Sequence, residues 1–278
     1  MQLDLFNDSE PARLERLLAG ALCAWDVARA RALLEHLREL AEPGARLADL
    51  ATLVQGAAAL DCAGEAPARL WERLERDLLP ASRVLGSRAG EFQAATWQRL
   101  ARALEGCPFD PVAPRLHASY AALRAADWKH LRQAVEAEAG WREQPTLLAR
   151  RLRAAEELGE DVLAGELMCR LCWEFPGSAA EMLRDDPRFG PWFGDFSALD
   201  TDLRPPAFPA WYALSLGRRL PLAEDAGAAE GREMLEAVHG VLAEAPGEPD
   251  LAARRRLQRA SPELCRMYLA RRDVRGSE

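Results

Sequence analysis

Residues 24–43 read AWDVARARALLEHLRELAEP. Ala30, Leu33, Leu34 and Leu37 fall at i, i+3, i+4 and i+7 and make one apolar stripe, with arginines and glutamates opposite. That is an amphipathic helix, which must bury its face against a neighbour. Asp26 stands at its start and Pro43 at its end, and residues 158–176, LGEDVLAGELMCRLCWEFP, share the plan of acidic turn, alanine-rich helix and terminal proline. The same spacing recurs at Leu14, Leu17, Leu18 and Ala21 and at Leu47, Leu50, Ala51 and Val54, and Leu70, Trp71, Leu74 and Leu78 at i, i+1, i+4 and i+8 continue a helical stripe. It predicts further helices near 91–104, 114–124, 128–139, 146–158 and 160–173. No window alternates with period two through β-branched residues, so the class is all-α.

The breaks are short: Ala24-Trp25-Asp26, Glu42-Pro43-Gly44, Ala126-Asp127, Leu158 to Asp161 and Phe175-Pro176-Gly177. Such connections make consecutive helices antiparallel. Asp26, Asp61, Asp127 and Asp161 are each expected to precede a helix, at intervals of 35, 66 and 34 residues. Those are one, two and one periods of a two-helix repeat. Over residues 10–177 the plan resembles a degenerate tetratricopeptide-type array, although no single repeat assembles that family's tryptophan, glycine and tyrosine signature. The resemblance implies stacked antiparallel helical hairpins.

Between Asp185 and Tyr212 the character changes. Phe189, Trp192, Phe193, Phe196, Phe208, Trp211 and Tyr212 gather there with Pro187, Pro191, Pro205, Pro206 and Pro209. Regular helix cannot run unbroken through such a segment. The expected organisation is a leading segment at 1–8, a helical-hairpin body at 9–184, an irregular aromatic connector at 185–212, and C-terminal helices at 213–278 packed on the same body. The last of these helices begins Ser261-Pro262-Glu263, a serine cap followed by proline and an acid in the first turn.

The net charge is −8, from 44 acidic and 36 basic residues, so the molecule as a whole repels a phosphate backbone. Autonomous nucleic-acid binding is not expected. Six cysteines are too sparse for a disulfide framework, and no apolar stretch reaches the roughly 20 residues of a membrane span. A cytoplasmic protein is expected. Lys129 is the only lysine, and this arginine and alanine bias fits a GC-rich bacterial source.

The narrowest signal is Gln2-Leu3-Asp4-Leu5-Phe6. It resembles the pentapeptide by which bacterial replication and repair proteins dock on the β sliding clamp. The resemblance implies that Gln2 is the polar anchor, Leu5 and Phe6 fill an apolar pocket, and Leu3 and Asp4 link them. A second reading is open: Leu3, Leu5 and Phe6 fold back and staple the first helix. The opening pentapeptide followed by alanine-rich helices is also similar to uncharacterised proteobacterial proteins, which implies no activity.

Other constellations are weaker. Cys169-Arg170-Leu171-Cys172 has redox or zinc spacing, yet no second pair or histidine completes a metal site, and buried structural thiols are expected. His36, His117, His130 and His239 show no ligand or triad spacing. Asp185-Asp186 before Pro187 reads as a cap, and the glycines read as punctuation between helices. Arg254, Arg255, Arg256, Arg259, Arg266, Arg271, Arg272 and Arg275 make the last helices basic. The reading is therefore a non-catalytic adaptor with no cofactor or metal. It docks on the clamp through residues 2–6 and offers a second surface that could include Trp192, Phe193, Trp211, Arg255 and Arg259. The alternatives are a peptide-binding scaffold unrelated to replication, and an enzyme with Asp185, Asp186 or Asp195 as acids near 185–212.

Overall fold

The computed structural model describes residues 9–61, 66–222, 229–243 and 251–275. Among them every regular element is helical, and neighbouring helices pack as hairpins. The chain divides between Glu138 and Ala139 into two compact units. That point lies inside the stretch 9–184 that the repeat spacing groups together.

In the first unit, α1 (Glu10–Cys23) packs on α2 (Val27–Leu40), which packs on α3 (Ala45–Leu60). There follow α4 (Pro67–Arg73), a π-helical turn at Leu74–Leu78, α5 (Leu79–Ala81) and a 3-10 segment at Ser82–Arg88. Then α6 (Ala89–Ala103), α7 (Ala118–Arg124) and α8 (Trp128–Glu136) pack in succession. The second unit pairs α9 (Pro145–Glu157) with α10 (Asp161–Glu174) and continues through α11 (Pro176–Arg184), α12 (Gly190–Ser197) and α13 (Phe208–Leu216). α14 (Ala229–Leu242), α15 (Leu251–Ala260) and α16 (Pro262–Arg275) complete it.

One backbone device makes three of the reversals. Trp25, Ala126 and Gly159 take positive φ of 56°, 53° and 72°. The amide of the next residue then reaches back five positions: Asp26 N–H to the Ala21 carbonyl at 2.8 Å, Asp127 to Ala122 at 3.0 Å, and Glu160 to Ala155 at 2.8 Å. This is the six-residue helix termination that consumes orphan carbonyls and turns the chain sharply. Each acceptor is a buried alanine, so the two helices close tightly at the turn. Asp26 and Asp127 also cap the outgoing helix, accepting from the amides of Arg29 at 3.0 Å and His130 at 3.2 Å.

Asp61, expected at a helix start, instead follows the last residue of α3. Its carboxylate accepts from the Trp25 indole Nε1 at 2.8 Å, and Arg99 stands 3.7 Å away. Asp61 therefore closes a helix and ties it to the Trp25 turn, where the spacing suggested a repeat start.

The π turn has a local cause. Pro80 lacks an amide, and its ring would clash with the carbonyl four residues back in a continuous α-helix; widening the preceding turn relieves both. The Leu79 amide bonds the Leu74 carbonyl five residues earlier. The bulge drives Leu78 onto α3 at Gly56, where an added Cβ would lie 2.2 Å from Leu78 Cδ2. Gly231 likewise lets α14 approach Trp173, whose ring atoms would lie 2.3 Å from a Cβ. These glycines are packing contacts inside helices, where the sequence suggested punctuation.

The segment 185–212 also departs from the irregular connector expected. Helices α12 and α13 occupy much of it because Pro191 and Pro209 fall in their first turns, where no helical hydrogen bond is lost. Only residues 198–204 lie between α12 and the 3-10 turn at Pro205–Ala207 without helical structure. Ser261 caps α16 as read, its hydroxyl accepting from the Leu264 amide at 3.2 Å.

Two outcomes follow for stability. Ala126 is exposed and left-handed, so Ala126→Gly is expected to stabilise by up to about 1 kcal/mol and Gly159→Ala to destabilise by about that amount, read by urea denaturation. Gly56→Ala is expected to lower stability by about 1–3 kcal/mol, since Leu78 is fully buried and cannot swing away.

Candidate functional site

The pentapeptide Gln2 to Phe6 lies outside the described residues. What is described is the point from which it departs: Ser9 caps α1, its side chain accepting from the Ala12 amide at 3.4 Å, with Glu10 and Pro11 in the first turn.

The aromatic residues of 185–212 form one cluster in the second unit. Phe208 stacks on Tyr212 with centroids 5.7 Å apart, Phe193 meets Phe208 edge-on at 5.1 Å, and Trp192 meets Tyr212 at 5.4 Å. Phe193 and Trp211 are buried, at 2% and 8% exposure. They build the core and do not present a surface, whereas Trp192 is half-buried at its edge. Arg255 and Arg259 are exposed on α15. Among the other basic residues there, Arg256 pairs with Glu236 at 2.7 Å. Arg271 donates to the carbonyls of Leu214 and Ser215, both at 2.6 Å, and so closes the end of α13. That last role was illegible in sequence, since 56 residues separate Arg271 from Ser215.

Beside the cluster lies a cavity of about 220 Å³. Its charged rim is Asp161 at the start of α10, Arg188 ahead of α12, and Arg218 and Arg219 beyond α13. Its apolar floor is Met168, Phe189, Leu220 and Pro221, with the Tyr212 ring at one side and exposed Val162 at the mouth. Arg188 Nη1 donates to Asp161 at 2.9 Å, and its guanidinium carbon lies 5.6 Å from the Phe189 ring centroid.

The arginines arrive there through a fourth copy of the reversal turn. Gly217 takes φ 66° and the Arg218 amide bonds the Ala213 carbonyl at 3.2 Å. Where the other copies place an acid and begin a helix, this one places Arg218 and runs on along α10. The run is tied down from behind. The Leu220 amide donates to His239 Nε2 at 3.2 Å, and the Cys169 thiol lies 3.8 Å from the Pro221 carbonyl. A Cβ on Gly165 would come within 2.8 Å of Pro221 Cδ. Burial, reinforced by Arg219, lowers the His239 pKa, which keeps the ring neutral and able to accept.

The carboxylates near 185–212 are arranged differently from the enzyme reading. Asp186 Oδ1 accepts from the amides of Arg188 at 2.9 Å and Phe189 at 2.8 Å, a cap that fixes the approach to α12. None of Asp185, Asp186 and Asp195 lines the cavity. Asp186 instead faces Glu156 on α9. Burial, the Asp186 charge and a hydrogen bond between the two carboxyls raise Glu156 to about 7, with Arg153 opposing the rise.

In the first unit the fold brings together a serine, a histidine and an acid that the sequence spacing hid. His117 Nδ1 lies 2.7 Å from Ser119 Oγ, and its Nε2 lies 3.2 Å from Glu138. The same Nδ1 accepts from the Ser119 amide at 3.2 Å, which makes His117 the cap of α7. Ser119 is fully buried and His117 is 3% exposed, so no substrate carbonyl reaches the hydroxyl. Cys169 and Cys172 are buried, and desolvation raises both thiols, so neither supplies a ready thiolate. Among the described residues no cluster of three or more His, Cys, Asp or Glu could hold a metal ion, and no helix is long and apolar enough to cross a membrane.

Glu156 gives a pH signature. Its folded pKa lies above the ordinary carboxylate value, so the folded state holds the extra proton between about pH 4.5 and 7. Its contribution to stability is full below that window and is lost as pH rises through it. Glu156→Gln, which keeps a donor toward Asp186 without the charge, is expected to flatten this part of the thermal midpoint against pH profile and to raise the midpoint at pH 8.

No family model, curated protein or solved structure matches the chain.

Proposed function

We propose that this protein is a non-catalytic adaptor of the bacterial cytoplasm that docks on the β sliding clamp through Gln2-Leu3-Asp4-Leu5-Phe6 and offers its helical body to a second protein. The observation that carries the reading is the pentapeptide itself, complete in form and placed shortly before the Ser9-capped start of α1. Gln2 supplies a side-chain amide for hydrogen bonds at one end of a groove, and Leu5 and Phe6 supply the apolar plugs.

The energetics suit a short linear motif. Burial of Leu5 and Phe6 contributes about 1.5–3 kcal/mol each before ordering costs, so a single contact is expected near micromolar affinity. A ring with several grooves raises this only when the adaptor or its partner presents more than one motif. The helical-hairpin body supports the adaptor part of the reading, because stacked hairpins offer extended surface for a second protein.

The test is binding of the full chain to purified clamp by surface plasmon resonance, compared with a Leu5→Ala, Phe6→Ala double variant. Saturable binding that weakens at least tenfold in the variant is expected. Equal binding by the two forms, or none by the parent, removes the link to replication and leaves the peptide-binding scaffold.

A further inference from the structure

The cavity of the second unit has the chemistry of a ligand site that adaptor docking does not use. Its volume of about 220 Å³ is below the range of drug-sized pockets, roughly 300–1,000 Å³, so it suits a small molecule and not a folded partner. Three arginines and one aspartate line it, in a chain whose net charge is −8. The local field therefore opposes that of the molecule as a whole and favours an anion.

The positive side is built, not accidental. Arg188 is held between Asp161 and the face of Phe189, and its side chain is 33% exposed. A guanidinium carries five N–H donors and Asp161 takes up one, through Nη1, so donors remain for a second carboxylate. Asp161 and Val162 are also the first two residues of the 14-residue α10, whose amide end adds positive potential at the rim. The apolar wall is equally fixed. Gly165 admits Pro221 at a distance no side chain would allow, Cys169 on the same helix lies against the Pro221 carbonyl, and His239 accepts from the Leu220 amide.

We propose that this cavity binds a small organic carboxylate with an apolar body, the carboxylate held by Arg188 with Arg218 and Arg219, and the body lying on Met168, Phe189 and Pro221. A planar carboxylate fits a cavity this small better than the bulkier tetrahedral head of a phosphate ester. Binding here is independent of the pentapeptide, so the two proposals stand or fall separately.

The probe is phenylacetate, titrated into the full-length protein at low salt by calorimetry and by tryptophan fluorescence, with phenylacetamide and phenyl phosphate as comparisons. Saturable binding of phenylacetate in the millimolar range or tighter is expected, with the neutral amide and the phosphate each about tenfold weaker. Two variants lie at exposed positions and leave the core untouched. Arg218→Ala with Arg219→Ala is expected to weaken phenylacetate several-fold and to reduce its salt dependence. Val162→Trp, at a site 63% exposed on the mouth, is expected to block binding, while its circular dichroism and thermal midpoint match the parent. Four results each overturn the proposal: no saturation by about 10 mM, equal binding of acid and amide, tighter binding of phenyl phosphate, or indifference to Val162→Trp.

Discussion

Three hairpins in this protein, α1–α2, α7–α8 and α9–α10, depend on an amide that reaches past a left-handed residue to a carbonyl five positions back. The bond at Asp26, Asp127 and Glu160 consumes a carbonyl that would otherwise be orphaned at a helix end, and the residue bearing that carbonyl is alanine each time. A larger side chain there would hold the incoming and outgoing helices apart and cost the interface its packing. The constraint therefore joins local backbone geometry to the core: small residue, left-handed residue, acid, then a helix laid back on the first. Trp25 shows how firmly the surroundings enforce it. Its left-handed backbone is unfavourable for a bulky residue, yet its ring stacks on Phe92 at 6.0 Å and its indole nitrogen is bonded to Asp61.

The same constraint explains what was legible in the sequence. Helix positions and the caps at Asp26, Asp127 and Ser261 depend on neighbours within four residues, so periodicity and side-chain chemistry are enough to find them. Asp61 fails that test because its partner, Trp25, lies 36 positions away. An interval of 35 residues imitated a repeat that the chain does not begin there. The aromatic segment misleads for another reason. Proline breaks a helix in its interior and starts one at its end, and the choice rests on where the flanking rings find burial, which a linear reading cannot supply.

The cavity was hidden for a related reason. Its walls come from the start of α10, the turn ahead of α12, one ring of α13 and the run after Gly217, and no short window of sequence contains all three arginines with Met168 and Phe189. A usable sign did exist. At Gly217 the repeated turn appears with Arg218 in the place held elsewhere by Asp or Glu, and a cation where a helix cap belongs means that the chain is not starting a helix. Gly165 gave a second sign, being a glycine inside an otherwise well-formed helix, a position that costs stability unless something must come close. The pentapeptide is the opposite case: wholly legible as a string and independent of any fold.

The arginines at the cavity differ in what they can contribute. Arg218 and Arg219 are exposed, so their field is screened by salt and their side chains lose rotamer freedom on engaging a ligand; their influence falls mainly on the rate of encounter. Arg188 has already lost that freedom, since Asp161 and Phe189 hold it in place. It also stands in the field of Glu156, which lies against Asp186, the residue that caps the Arg188 turn. In the proposed site, discrimination between ligands is therefore expected of Arg188 more than of Arg218 and Arg219.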